Sequence, residues 1–142
     1  MNFRKFGVTN LILFLLCNTL AAETKRIAIV RDDHSSYFDA IITGFRKEMD
    51  ELAKDRYDYE LIDTFNAEGK QQEIRTQLMR AVDDPNIDLV YTAGIVASHH
   101  AENLSLTLRT KPIVAGAIEF SNFDNSTISE SGTSKIPNFT FI

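Results

Sequence analysis

The sequence predicts an α/β fold in which a mostly parallel sheet carries helices on both faces, and three observations lead there. Four short runs rich in Ile, Val, Leu and Tyr, at Arg26–Val30, Tyr59–Phe65, Ile87–Ala93 and Pro112–Ile118, read as strands buried on both sides. Between successive runs there is room for one helix and little else, as right-handed βαβ crossovers require. At 142 residues, 44% hydrophobic and 25% charged, the chain has the composition of one globular domain with a real core, not of a disordered segment or a membrane bundle.

Residues 1–22 read as a secretory signal. Arg4 and Lys5 precede the apolar stretch Phe6–Leu16, too short to span a bilayer, and Thr19, Ala21 and Ala22 are small residues suited to cleavage. The alternative, an uncleaved anchor, is opposed by Thr9, Asn10 and Asn18, which interrupt the apolar run. Leu16 is bulky where a lipoprotein signal wants a small residue, which disfavours lipidation at Cys17. Cys17 is the sole cysteine, so cleavage leaves no thiol for disulfides, metal sites or nucleophilic catalysis. Loss of Arg4 and Lys5 moves the formal charge from -5 to -7, since 1–22 contains no acid; such a body is a poor partner for nucleic acid. The expected location is the periplasm.

After the first strand, Phe38, Ile41, Ile42, Phe45, Met49 and Leu52 recur at helical spacing, and Ser36 can cap that helix with Asp39 returning the bond from the first turn. Gly69 marks a turn; Ile74, Leu78, Ala81 and Val82 form the stripe of a second helix, which Pro85 ends. Gly94 opens a third crossover with Ala97, Ala101, Leu104 and Leu108 along one face. From Phe120 to Pro137 the composition turns polar and aperiodic, and Asn138–Ile142 reads as another strand. A polar stretch and a fresh strand with no helix behind it read as a connection toward something larger. The lobe is thus placed at 23–119, with 120–142 leading out of it.

A parallel sheet gathers its ligand site at the carboxyl ends of its strands. Asp32, His34, Ser35, Ser36 and Tyr37 follow the first strand, where helix-start amides and the two serine hydroxyls can hold a carboxylate. The bland alternative is a capped helix with solvated acids, and Asp32 and Asp33 repel an anion. Gly94, Ile95, Val96, Ala97 and Ser98 form a small-residue turn where backbone can approach a ligand, or where helix and sheet pack closely. Ala117 and Glu119 close the fourth strand, and Tyr37, Phe38, Phe120 and Phe123 can floor a pocket, although Phe38 sits on the core stripe. His99 and His100 invite a metal, but adjacent helical residues point about 100 degrees apart and do not chelate one ion. No G-x-G-x-x-G, G-K-[ST] or G-x-S-x-G pattern is present, and the receiver-domain reading of Asp32-Asp33 lacks an Asp at the end of the third strand. No catalytic residue, metal or cofactor is therefore expected.

The segments Lys25-Arg26-Ile27-Ala28-Ile29-Val30, Ser36-Tyr37-Phe38-Asp39-Ala40 with Gly44-Phe45, Thr92-Ala93-Gly94 and Lys111-Pro112-Ile113-Val114, in this order and spacing, resemble the ABC transporter substrate-binding proteins of the type I periplasmic-binding fold. The resemblance runs from Lys25 to the C-terminus, about the first of two lobes. It implies a three-layer, Rossmann-like lobe that closes with a second lobe over a small solute, an amino acid or other carboxylate. It places the contacts at Asp32–Tyr37, Gly94–Ser98 and Ala117–Glu119, and makes Asn138–Ile142 the strand that crosses into the second lobe. It also implies an inner-membrane ABC permease as partner and a non-enzymatic role. On this reading the 142 residues hold the first lobe only, without the half of the contacts and the closing motion that a second lobe supplies. A periplasmic ligand-sensing module is the alternative function, and a two-lobed α/β enzyme a third.

Overall fold

A computed structural model describes residues 23–54, 56–108, 110–116, 126–129 and 131–142. The leader 1–22 with Cys17, and the segment containing Ala117, Glu119, Phe120 and Phe123, lie outside the described residues. Among the described residues five strands, β1 (Lys25–Arg31), β2 (Tyr59–Asn66), β3 (Leu89–Ala93), β4 (Ile113–Gly116) and β5 (Phe139–Phe141), form one sheet in the order β2-β1-β3-β4-β5. All four pairings are parallel. Among the described residues three helices supply the crossovers: α1 (Ser36–Ala53), α2 (Gln71–Asp83) and α3 (Ile95–Thr107). The expected three-layer α/β architecture is present.

Side chains alternate across a strand, so a strand buried on both faces must be apolar at every position. In β1, Ile27 and Ile29 face α1 with Phe38, Ile42, Tyr91 and Ala93, while Ala28 and Val30 face α2 and α3. That division explains the uninterrupted run from Ile27 to Val30. The larger core lies on the second face, where Ile74, Leu78, Ala81 and Val82 of α2 meet Ala97 and Ala101 of α3 and Val90 and Ile113 of the sheet. Ile74 and Leu78 are each 1% exposed, and each such burial stabilises the fold by about 1.5–3 kcal/mol. Against β1, β2 carries one extra residue between Ile62 and Phe65. The bulge turns Phe65 toward the α2 side and leaves Asp63 beside Arg31.

Asn138–Ile142, which the sequence reading places after the 23–119 lobe as a strand leading toward a second one, contains β5, which pairs with β4 in this sheet. Phe139 is 4% exposed, and Ile136 and Ile128 join the α2–α3 core, because burying them on an existing apolar face outweighs the polarity of their neighbours. The cap of α1 also differs. Ser36 is the first helical residue, and Ser35 holds the cap position without a side-chain cap bond. Asp39 does not return a bond to the cap, because the buried Arg31 guanidinium takes its carboxylate at 2.6 Å, and a charge-assisted pair is the stronger bond.

Candidate functional site

The chain leaves β1 toward β2 and leaves β3 toward β4, on opposite sides of the β1–β3 pair. At such a switch point the two outgoing loops separate and open a crevice at the carboxyl end of the sheet. Asp32 sits in it. Its backbone amide donates to the Ala93 carbonyl at 3.1 Å and its carbonyl accepts from the Gly69 amide at 2.9 Å, which locks the loop after β1 to the end of β3 and to the turn before α2. Its carboxylate accepts the amides of Ala97 at 2.7 Å and Val96 at 3.0 Å. A residue 64 positions upstream therefore caps α3, with its charge at the positive end of the helix dipole. Burial outweighs these two bonds and raises the Asp32 carboxyl above its ordinary value.

Gly94 makes the close approach possible. Its φ of 119° with ψ of 162° lies where side chains are rarely tolerated, and a Cβ there would stand 2.9 Å from Asp32 Oδ1 and closer still to the carboxyl carbon. Four of the amides in the turn Gly94–Ser98, those of Gly94, Val96, Ala97 and Ser98, are thus taken by acceptors of the protein itself. Ser98 is buried and shares a 3.0 Å hydrogen bond with Thr92. Ile95, 44% exposed, is the part of this turn that faces solvent.

The start of α1 is different. Asp33 accepts the Ser35 amide at 2.7 Å, and Ser35, by hydroxyl and amide, holds the Asp33 carboxyl below its ordinary value. No described residue accepts the amides of Ser36, Tyr37 or Phe38. His34, Ser35, Ser36 and Tyr37 are exposed, while Phe38 is buried and meets the Tyr37 ring edge-on at 5.2 Å. One helix start at the switch point is closed and the other is open.

Sequence reasoning missed Arg31. Its side chain, 7% exposed, donates to Asp39 at 2.6 Å, to Asp63 at 3.2 Å and to His34 Nδ1 at 2.5 Å. Because a guanidinium only donates, His34 Nδ1 is the acceptor, and the proton of the neutral ring lies on Nε2. The signal was available: alternation puts Arg31 on the inward face shared by Ile27 and Ile29, where a cation needs acids nearby. Arg31 Nε and Asp63 Oδ1 are buried without partners.

Tyr91, 2% exposed, was also missed. It pairs with Val114 across the strands, and its ring lies parallel to Phe45 of α1 with centroids 4.0 Å apart. Its hydroxyl lies over Gly116, two residues further along β4, so the ring leans toward the carboxyl edge of the sheet. A Cβ at Gly116 would overlap the hydroxyl and stand 2.7 Å from Cζ.

Other features lie apart. A cavity of about 620 Å³ opens at the amino ends of the strands, lined by Ile27, Met49, Leu52, Tyr57, Tyr59 and Leu89. Its walls are apolar, and two of its charged groups, Lys25 and Asp88, are paired at 3.7 Å. The convergent polar groups are at the opposite pole, and site chemistry follows them. His99 is exposed beside Asn103, and His100 lines a groove between α2 and α3, where burial lowers its pKa. Among the described residues no group of three potential metal ligands forms. None of the described helices is long and apolar enough to cross a membrane. No known family model, curated protein or solved structure matches the chain.

Proposed function

We propose that this chain is the first lobe of an extracytoplasmic solute-binding protein that delivers a small molecule to an inner-membrane ABC permease. The observation that supports this best is the crevice at the β1–β3 switch point, where the loops after β1 and β3 are locked together by Asp32 and the first turn of α1 stays open. A rigid rim beside an open set of amides suits capture of a polar solute end between this lobe and a second one. Of the two helix starts, that of α1 takes the carboxylate of an amino-acid-like solute, because Asp32 already fills that of α3. The role is binding rather than catalysis, and the leader 1–22 directs the chain to the periplasm.

Two measurements test the reading. Expressed with its leader in a Gram-negative host, the protein is expected in the periplasmic fraction with Ala22 or Glu23 at its N-terminus; full-length protein in the cytosol counts against it. In a thermal-shift screen with the L-amino acids and with acetate, at least one ligand is expected to raise Tm, as linkage requires of anything that binds only the folded state. A flat response to all of them rejects solute capture at this edge.

A further inference from the structure

Helices α2 and α3 share one face of the sheet, whereas among the described residues α1 alone covers the other. A helix is about 10 Å across with its side chains, and five strands about 4.8 Å apart span roughly 19 Å, so the α1 face is covered only in part. In the middle of that face the Phe45–Tyr91 stack fills the space. At the amino ends of the strands the cavity of about 620 Å³ remains, and small-molecule sites commonly hold about 300–1,000 Å³. Leu52 and Tyr57 on its wall are 65% and 68% exposed, which leaves large apolar side chains in water at its mouth. The charges around that mouth are not balanced. Lys25 pairs with Glu23 and Asp88, and Asp88 also accepts the Arg26 amide at 2.8 Å. Arg56 lines the cavity as well, and among the described residues its guanidinium has no carboxylate within ion-pair distance.

We propose that this cavity binds a free fatty acid, with the aliphatic chain against Ile27, Met49, Leu52 and Leu89 and the carboxylate on Arg56. The apolar wall asks for a body without polar groups, since any such group would lose its water there without gaining a partner. The planar guanidinium fork matches a carboxylate in a two-bond pair. A single negative charge suits the place, because Asp88 lines the same cavity and the chain carries a formal charge of -5, so a more highly charged head is repelled. The same charge opposes a second copy of the chain as the occupant. The site lies at the opposite pole from the solute edge and does not depend on the solute-binding reading.

The test titrates the full chain with hexanoate, octanoate and decanoate, each below its micelle-forming concentration, while backbone and methyl resonances are followed. Shifts are expected at Met49, Leu52 and Leu89, and affinity is expected to rise up to about fourfold with each added methylene. Arg56→Gln removes an exposed charge that no described residue pairs with, so Tm is expected to hold while decanoate weakens about fivefold and the uncharged decanol does not. Leu52→Glu, also at an exposed position, is expected to weaken decanoate and decanol alike, by tenfold or more. No binding of decanoate, affinity independent of chain length, or undiminished decanoate binding by Arg56→Gln overturns the proposal. Shifts confined to His34–Phe38 overturn it by assigning the acid to the solute edge. A dimer seen by light scattering that Leu52→Glu dissolves overturns it in favour of a second copy in the cavity.

Discussion

Replacing Asp32 by Ala removes the acceptor of two helix-start amides and the charge at the positive end of the α3 dipole. Each amide bond to a carboxylate is worth about 1.5 kcal/mol, and the cost of burying the ionised group, visible in its raised pKa, returns part of the total. The net expectation is a loss of about 2.5 kcal/mol, seen as a fall in Tm of about 10 °C for a chain of this size. Gly94→Ala adds a second handle. In the unaltered protein it costs about 4 kcal/mol, half from a backbone region reserved for glycine and half from overlap with the carboxylate. Once Asp32 is Ala the overlap disappears, so the double variant is expected to be about 2 kcal/mol more stable than the sum of the two single losses. Urea unfolding followed by circular dichroism on the four proteins measures this. Additivity within about 0.5 kcal/mol would refute the claim that Gly94 exists to admit Asp32.

Arg31→Leu is expected to cost about 3 kcal/mol, since it leaves Asp39 and Asp63 facing each other without their cation, and Arg31→Leu with Asp63→Leu should recover at least half of that in the same unfolding assay. The pH profile of Tm separates carboxylates of opposite sign. Asp88, held below its ordinary value of 3.8 chiefly by the Arg26 amide, supplies stability that is complete above 3.8 and lost as pH falls through its lowered value. Asp88→Asn should therefore show a shallower acid-side decline than the unaltered protein. Asp32 has the reverse sign: its folded pKa is raised, so its ionisation reduces stability as pH climbs from 3.8 through that higher value, and Asp32→Asn should flatten that part of the profile.

Period and composition were enough to determine the layers of this protein. The apolar run Ile27–Val30 has to be buried on both faces, the stripe Ile74, Leu78, Ala81 and Val82 has to meet a sheet, and the spacing leaves only parallel crossovers, so the strands and helices stand within a few residues of expectation. These are local consequences of side-chain alternation and helical repeat, and they need no knowledge of distant neighbours. The strand Asn138–Ile142 was legible, but its place beside β4 was not, because a three-residue strand after a polar stretch carries no mark of the edge that recruits it. The site was half legible. Its location at the strand ends follows from topology, but the occupant of the α3 helix start is Asp32, 64 positions away from Val96 in the chain, and no pattern within a window reports such a pairing. The same holds for Arg31 with Asp63, and for Tyr91 with Gly116. Each is a contact between elements that only the sheet order brings together, and tertiary structure alone decided which polar groups are paired with one another and which face the crevice.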